Sequence, residues 1–152
     1  MKNTAPHLPL VVAEDDPDDR LLIQAALEEH QFPNPFIFVE DEEELMEYLY
    51  HRGRYADHNQ FSRPSMILLD LNMPRKDGRE ALQEIKCDPH LRQIPVLIFT
   101  TSSLYDDIAE SYQLGANSFL RKPPTFDGLI HIVEVIEAFW FTVAELPPAK
   151  GN

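Results

Sequence analysis

At 152 residues the chain has the length of one domain, and 43% apolar with 26% charged residues is the composition of a folded globular protein, not of a disordered one. Its 26 acidic against 13 basic side chains give a formal net charge of −13, which excludes the basic face that a direct DNA or RNA partner requires. The lone Cys87 excludes an internal disulfide or a cysteine-built zinc site. With no signal sequence and no apolar run long enough to span a membrane, a cytoplasmic protein is expected.

Short apolar runs alternate with amphipathic ones along the chain. Residues 8–13 predict a strand, and residues 17–30 a helix carrying Leu21, Leu22, Ala25 and Ala26 on one face. Residues 36–39 predict a second strand and 42–51 a second helix, with the acids at 41–44 forming a solvated face. A polar loop over 52–64 leads to a buried strand at 65–71 and a helix at 77–87. A fourth strand is expected at 95–100, then a helix at 104–114 closed by Gly115. A fifth strand at 117–121 precedes a long final helix at 126–146, which Pro147-Pro148 ends. Five strands each followed by a helix predict a doubly wound α/β protein, a five-stranded parallel sheet with five helices on its two faces. In such sheets the functional crevice lies beyond the carboxyl ends of the strands, so function is sought in the residues just after each strand.

After the first strand comes Glu14-Asp15-Asp16-Pro17-Asp18-Asp19. Asp16 suits a helix cap, Pro17 the first helical position, and Asp18 and Asp19 the positive end of the helix dipole. Glu14 and Asp15 precede the cap and gain little from it, which marks them as a functional pair. The third strand ends in Asp70, a carboxylate too costly to bury without a partner or a metal. The fourth ends in Thr100-Thr101-Ser102 and the fifth in Lys122-Pro123. Three converging carboxylates call for a cation, and hard oxygen ligands select Mg²⁺, with Mn²⁺ as a substitute. An ionised carboxylate beside such a metal, with an ammonium and a hydroxyl at hand, suits attack on a phosphoryl group.

These residues carry a resemblance. Glu14-Asp15 with Arg20, Leu68-Leu69-Asp70-Leu71-Asn72-Met73-Pro74 with Asp77-Gly78, Phe99-Thr100 and Lys122-Pro123 resemble, in order, the receiver domain of two-component response regulators. The resemblance spans residues 8–146, leaving a short tail at 147–152 and no output domain. It implies a flavodoxin-like fold with strand order 2-1-3-4-5 and a phosphoryl group accepted on Asp70 from a histidine kinase. It further implies Mg²⁺ held by Glu14, Asp15, Asp70 and the main-chain carbonyl of Asn72, with Thr100 and Lys122 stabilising the phosphoryl group. Thr100 and Phe119 take the switch positions, and a cis bond is implied before Pro123. The acidic Asp-Asp-Pro-Asp-Asp segment, the loop at 52–64 and the Phe139-Trp140-Phe141 ending resemble most the small regulators that accompany phytochrome-type histidine kinases. Such a protein is not an enzyme beyond its own phosphotransfer and dephosphorylation, and signals by contact with a downstream protein.

In the last helix Leu129, Ile132, Val133, Ile136 and Trp140 recur as a core-facing stripe, while further apolar residues widen it. A second copy of the chain is expected to cover Phe139, Trp140 and Phe141 as a homodimer; extra packing onto the chain's own core is the competing explanation. Two other functions are weighed. A haloacid dehalogenase-like phosphatase needs a second Asp two residues after its nucleophile, where this chain has Asn72. A phosphorylation-independent scaffold would not need Glu14, Asp15, Asp70, Thr100 and Lys122 together.

Overall fold

The structure, a computed structural model, describes residues 8–73 and 78–148. Strands β1 (Leu10–Ala13), β2 (Phe36–Val39), β3 (Met66–Leu69), β4 (Val96–Thr100) and β5 (Ser118–Arg121) form one sheet in the order β2-β1-β3-β4-β5. Every pair is parallel. The intervening and following helices are α1 (Pro17–Glu29), α2 (Glu42–Leu49), α3 (Gly78–Cys87), α4 (Tyr105–Gln113) and α5 (Phe126–Ile136). The expected flavodoxin-like arrangement is therefore found. The start expected for α3 at Asp77 lies outside the described residues.

Alternation along the strands divides the interior into two cores. Val11, Ala13, Ile67 and Leu69 pack with Leu45, Leu82 and Ile85 of α2 and α3. Leu10, Val12, Met66 and Leu68 pack with Ile23 and Leu27 of α1 and with Leu129 and Val133 of α5. Burial on both faces is why β1 and β3 are apolar at every position. Both strands are shorter than the apolar runs that announced them. Pro9 and Ser65 lie just outside the ladder, yet Ser65 N–H still donates to the Pro9 carbonyl at 2.8 Å.

Three expectations are corrected by packing. In α1 the buried stripe is Ile23, Ala26 and Leu27, whereas Leu21 is 67% and Leu22 48% exposed. A 3.6-residue period supports either stripe, and the sheet selects one. The acids at 41–44 are not simply solvated: Asp41 caps α2, Glu42 is buried, and Glu44 accepts from the Tyr55 hydroxyl and from Arg54. The loop at 52–64 contains a 3₁₀ turn, Gly53–Tyr55, and its buried Tyr55 stacks edge-on against Tyr48 and Phe61.

The last helix also departs from a uniform α-helix. After Ile136 it widens into a π-helical segment, Glu137–Val143, in which Ala144 N–H donates to the Phe139 carbonyl at 2.7 Å. The ladder changes where His30, at the end of α1, meets Glu137 at 2.7 Å. Beyond that point Phe141 packs edge-on against Phe32, with ring centroids 5.1 Å apart, and Trp140 joins the same core. Among the described residues no helix is long and apolar enough to cross a membrane.

Candidate functional site

The parallel ladder carries the chemistry to one edge. Past the ends of the strands, Glu14 N–H donates to Val39 at 2.9 Å, Asp70 N–H to Ala13 at 3.1 Å and Lys122 N–H to Thr100 at 2.8 Å. Side chains from four segments are thereby brought together. One carboxylate oxygen each from Glu14, Asp15 and Asp70 lies within 4.8 Å of the others. Glu14, Asp70 and Thr100 are buried, while Asp15 and Lys122 are partly exposed. Lys122 Nζ donates to Glu14, and sits 2.9 Å from both Asp19 Oδ2 and Asp70 Oδ2. The second Asp70 oxygen accepts from Asn72 N–H at 3.0 Å, and Asn72 Nδ2 lies 3.4 Å from Thr100 Oγ1.

Two further residues contribute, one of them, Asp19, illegible as a site residue in the sequence. Asp16 caps α1 as expected, accepting from Asp18 and Asp19 N–H, but the Asp19 side chain swings back to Lys122. Its sequence signal, an acid in the first helical turn, is the same whether it serves the dipole or the site. Arg20 Nη1 donates to the carbonyls of both Glu14 and Asp15 at 3.0 Å, fixing the backbone of the acidic turn. The spacing of Arg20 from the acids is the only signal for that role.

Burial pushes the Glu14 carboxyl up to about 7, against the hydrogen bond from Lys122 and with the charge of Asp70 adding to the rise. Burial works against the Lys122 charge, but its hydrogen bonds to Glu14 and Asp19 and the field of Asp70 outweigh it and push its pKa up. Three carboxylates on one ammonium, with Asp15 beside them, leave an excess of negative charge, and the all-oxygen set of Glu14, Asp15 and Asp70 fits Mg²⁺ or Mn²⁺. Protons and metal then compete for Glu14. Calorimetric titration is expected to show Mg²⁺ affinity rising from about pH 6 to about pH 8 and levelling above. An affinity flat over that range would place the Glu14 titration elsewhere.

The bond before Pro123 is a correction. No cis peptide occurs among the described residues, so the cis bond implied there is not found. Trans is the lower-energy isomer even before proline, and with it Lys122 already reaches all three carboxylates. Phe119 is half-buried against the α2–α3 core, and its N–H donates to the Tyr112 hydroxyl at 3.1 Å. Pro74 and Asp77 lie outside the described residues.

Gly78 belongs to the site through its lack of a side chain. A Cβ there would lie 2.4 Å from the Asp70 carbonyl oxygen and 2.8 Å from Leu71 Cα, both backbone atoms with little freedom to retreat. Alanine in a helix ordinarily gains about 0.5–1 kcal/mol over glycine. Here the overlap reverses the sign: Gly78→Ala is expected to destabilise by about 1–3 kcal/mol in chemical denaturation and to weaken Mg²⁺ binding by displacing Asp70. Unchanged stability and metal affinity would show that the turn yields.

Comparison with known proteins agrees with this geometry. The chain matches the response regulator receiver domain family over residues 10–134. It is 39% identical over 140 residues to the response regulator Rcp1 of Synechocystis sp., covering 92% of this chain and 93% of that one. The crystal structure of the phosphorylated cyanobacterial phytochrome response regulator RcpA superposes with a TM-score of 0.85 at 45% identity, covering 93% of this chain and 99% of that one. The Mn²⁺-bound form of Rcp1 gives 0.82 at 38% identity, with the same coverage of 93% and 99%. One five-stranded parallel sheet, its acidic cluster at the expected edge and a family match over residues 10–134 lead to one assignment: the chain belongs to the response regulator receiver family.

Proposed function

We propose that the chain is a single-domain response regulator, in the cytoplasm, whose Asp70 accepts a phosphoryl group from a phytochrome-type histidine kinase. The observation that carries this reading is the Lys122 ammonium 2.9 Å from Asp70 Oδ2, inside a cluster of acids suited to Mg²⁺. In the transfer, an Asp70 oxygen attacks phosphorus, the bond from phosphorus to the donor histidine nitrogen breaks, and the nitrogen leaves with its electron pair. Lys122, 2.9 Å from Asp70 Oδ2, neutralises phosphoryl oxygen as charge builds. Thr100, buried at the end of β4, offers its hydroxyl to a phosphoryl oxygen. Glu14, Asp15, Asp70 and the Asn72 carbonyl would hold Mg²⁺, which when bound would supply charge neutralisation for the transferring group. The protein promotes only its own phosphorylation and dephosphorylation: Asn72, where a phosphatase of similar layout needs a proton shuttle, is a neutral amide that does not titrate and cannot serve as general acid.

Output is by contact. Movement of Thr100 toward a phosphoryl group and of the half-buried Phe119 would bias α4, β5 and α5 toward a downstream protein. Homodimerisation follows from the C-terminal surface, with one revision: Trp140 and Phe141 are half-buried on the chain's own core, so the free apolar residues are Val135 at 49%, Phe139 at 51% and Val143 at 72% exposure. Light scattering of Phe139→Glu against the parent chain tests the dimer; equal masses would remove this residue from the interface. The kinase assignment rests on the likeness to a phytochrome response regulator. Phosphotransfer profiling against a panel of histidine kinases is expected to show fastest transfer from a phytochrome kinase. Equal or faster transfer from kinases of other input classes would overturn the pairing.

A further inference from the structure

Beyond the acceptor cluster, a second polar network links α3 to α4 and the loop after β4. Arg79, in the first turn of α3, forms an ion pair with Asp107 of α4 and reaches Glu110 at 3.0 Å through Nε. Asp107 also accepts from the Ser102 hydroxyl, two residues beyond Thr100. Ser102 Oγ in turn accepts from Leu104 N–H at 3.3 Å, and Ser111 Oγ holds the Asp107 carbonyl at 2.7 Å. The Arg79 and Asp107 side chains are only 21% and 20% exposed, so water screens the pair weakly. The Ser102 hydroxyl and the Arg79 guanidinium hold the Asp107 carboxyl below its usual range.

The placement is what gives this network a role. Arg79 follows Gly78, which lies against the Asp70 backbone and whose N–H donates to the Leu71 carbonyl at 3.1 Å. Ser102 follows Thr100, whose Oγ1 lies 3.4 Å from Asn72 Nδ2 just past Asp70. The network therefore joins the start of α3 to the β4–α4 loop, and does so through side chains outside the acceptor cluster. We propose that Asp107 is a positioning residue: held by Arg79, it fixes Ser102 and the β4–α4 loop across the mouth of the cleft, and so sets how long Asp70 remains phosphorylated. With the latch closed, the loop at 101–104 is held at the cleft and the approach of hydrolytic water to phosphorus is restricted. Open, the loop is tethered only at its ends and water gains access. Hydrolysis breaks the bond from phosphorus to the Asp70 oxygen and releases inorganic phosphate.

This rests on Asp70 being the acceptor, and the test separates the two. The full chain is labelled with acetyl phosphate and Mg²⁺, the donor is removed, and loss of label is followed for the parent, Asp107→Asn, Arg79→Ala and the exchanged pair Arg79→Asp/Asp107→Arg. If the parent is never labelled on Asp70, the acceptor assignment fails and the latch falls with it. With a labelled parent, Asp107→Asn and Arg79→Ala are expected to lose phosphate about 3–10-fold faster, equivalent to about 0.7–1.4 kcal/mol in the hydrolysis barrier. Acquisition rates stay within about twofold, because no group that contacts the phosphoryl donor has changed. The exchanged pair restores part of the lifetime. A merely structural pair would alter thermal stability and both rates together. Unchanged lifetimes in the two single variants, or equal changes in acquisition and loss, overturn the proposal, as does an exchanged pair that decays as fast as the single variants.

Discussion

Asp70→Asn protein treated with acetyl phosphate and Mg²⁺ is expected to gain no phosphoryl group, whereas the parent chain is expected to gain one on Asp70. The substitution keeps shape and one hydrogen-bond acceptor, so Asn72 N–H retains a partner for the contact it makes at 3.0 Å. It removes the nucleophile, since a neutral amide oxygen does not displace acetate from phosphorus. Two secondary effects distinguish this from a folding defect. The acid set of Glu14, Asp15 and Asp70 loses one charged ligand, so Mg²⁺ affinity falls by about tenfold or more, about 1.4 kcal/mol for each factor of ten. Glu14, whose pKa the Asp70 charge helps to raise, titrates lower than its present value of about 7, but not back to 4.5, because burial is the larger cause and is untouched. Carbon-detected NMR of the Glu14 carboxyl reads that shift. Labelling of the Asp70→Asn chain at the parent level would move the acceptor to another residue, and the geometry around Lys122 would need another purpose.

The carboxyl edge was the legible part of this chain because a parallel sheet converts sequence order into spatial order. Once four strand ends carry an acid, a hydroxyl or an ammonium, the ladder leaves them no choice but to meet. What the sequence hid lies one step from the ladder. Asp19 acts on the site through a side chain that reaches backward from α1, and its identity suits a helix start just as well. The choice between the Leu21–Leu22 and Ile23–Ala26–Leu27 stripes in α1 is a matter of rotation about the helix axis, which periodicity alone does not set. Arg79 and Asp107 are 28 positions apart and meet only because α3 and α4 lie on either side of the same cleft. The π-helical turn after Ile136 is likewise a product of tertiary packing, in which Phe32 and His30 meet residues more than a hundred positions away. Local pattern finds elements and their ends; it does not find long-range side-chain partners.

Lys122→Met is expected to show the site's electrostatics most directly, because it removes the ammonium that three carboxylates share. The side chain is 11% exposed and Glu14 2%, so the stranded charges are poorly hydrated, and the metal-free variant at about pH 8 is expected to lose about 3–5 kcal/mol of stability. The pH dependence fixes the cause. An acid whose pKa is higher folded than unfolded binds protons preferentially in the folded state, so its contribution to stability is present at low pH and lost as pH rises through that interval. Glu14 already behaves this way, moving from 4.5 to about 7, and losing the hydrogen bond and charge of Lys122, which oppose that rise, pushes it further upward. The deficit relative to the parent chain therefore shrinks as pH falls from 8 toward about 5, where Glu14 takes up a proton in place of the ammonium. Mg²⁺ acts in the same direction, binding the more negative cluster more tightly and restoring part of the lost stability by mass action. Phosphoryl uptake does not recover with it, and is expected to slow by about 100-fold, because the metal replaces the ammonium as a counter-charge but not as the donor at the phosphoryl oxygen that Lys122 supplies. Denaturation at several pH values with and without Mg²⁺, alongside acetyl phosphate labelling, separates the two roles. Parental stability at pH 8 in chelator would remove Lys122 as the structural counter-ion; parental labelling would remove it from the transfer.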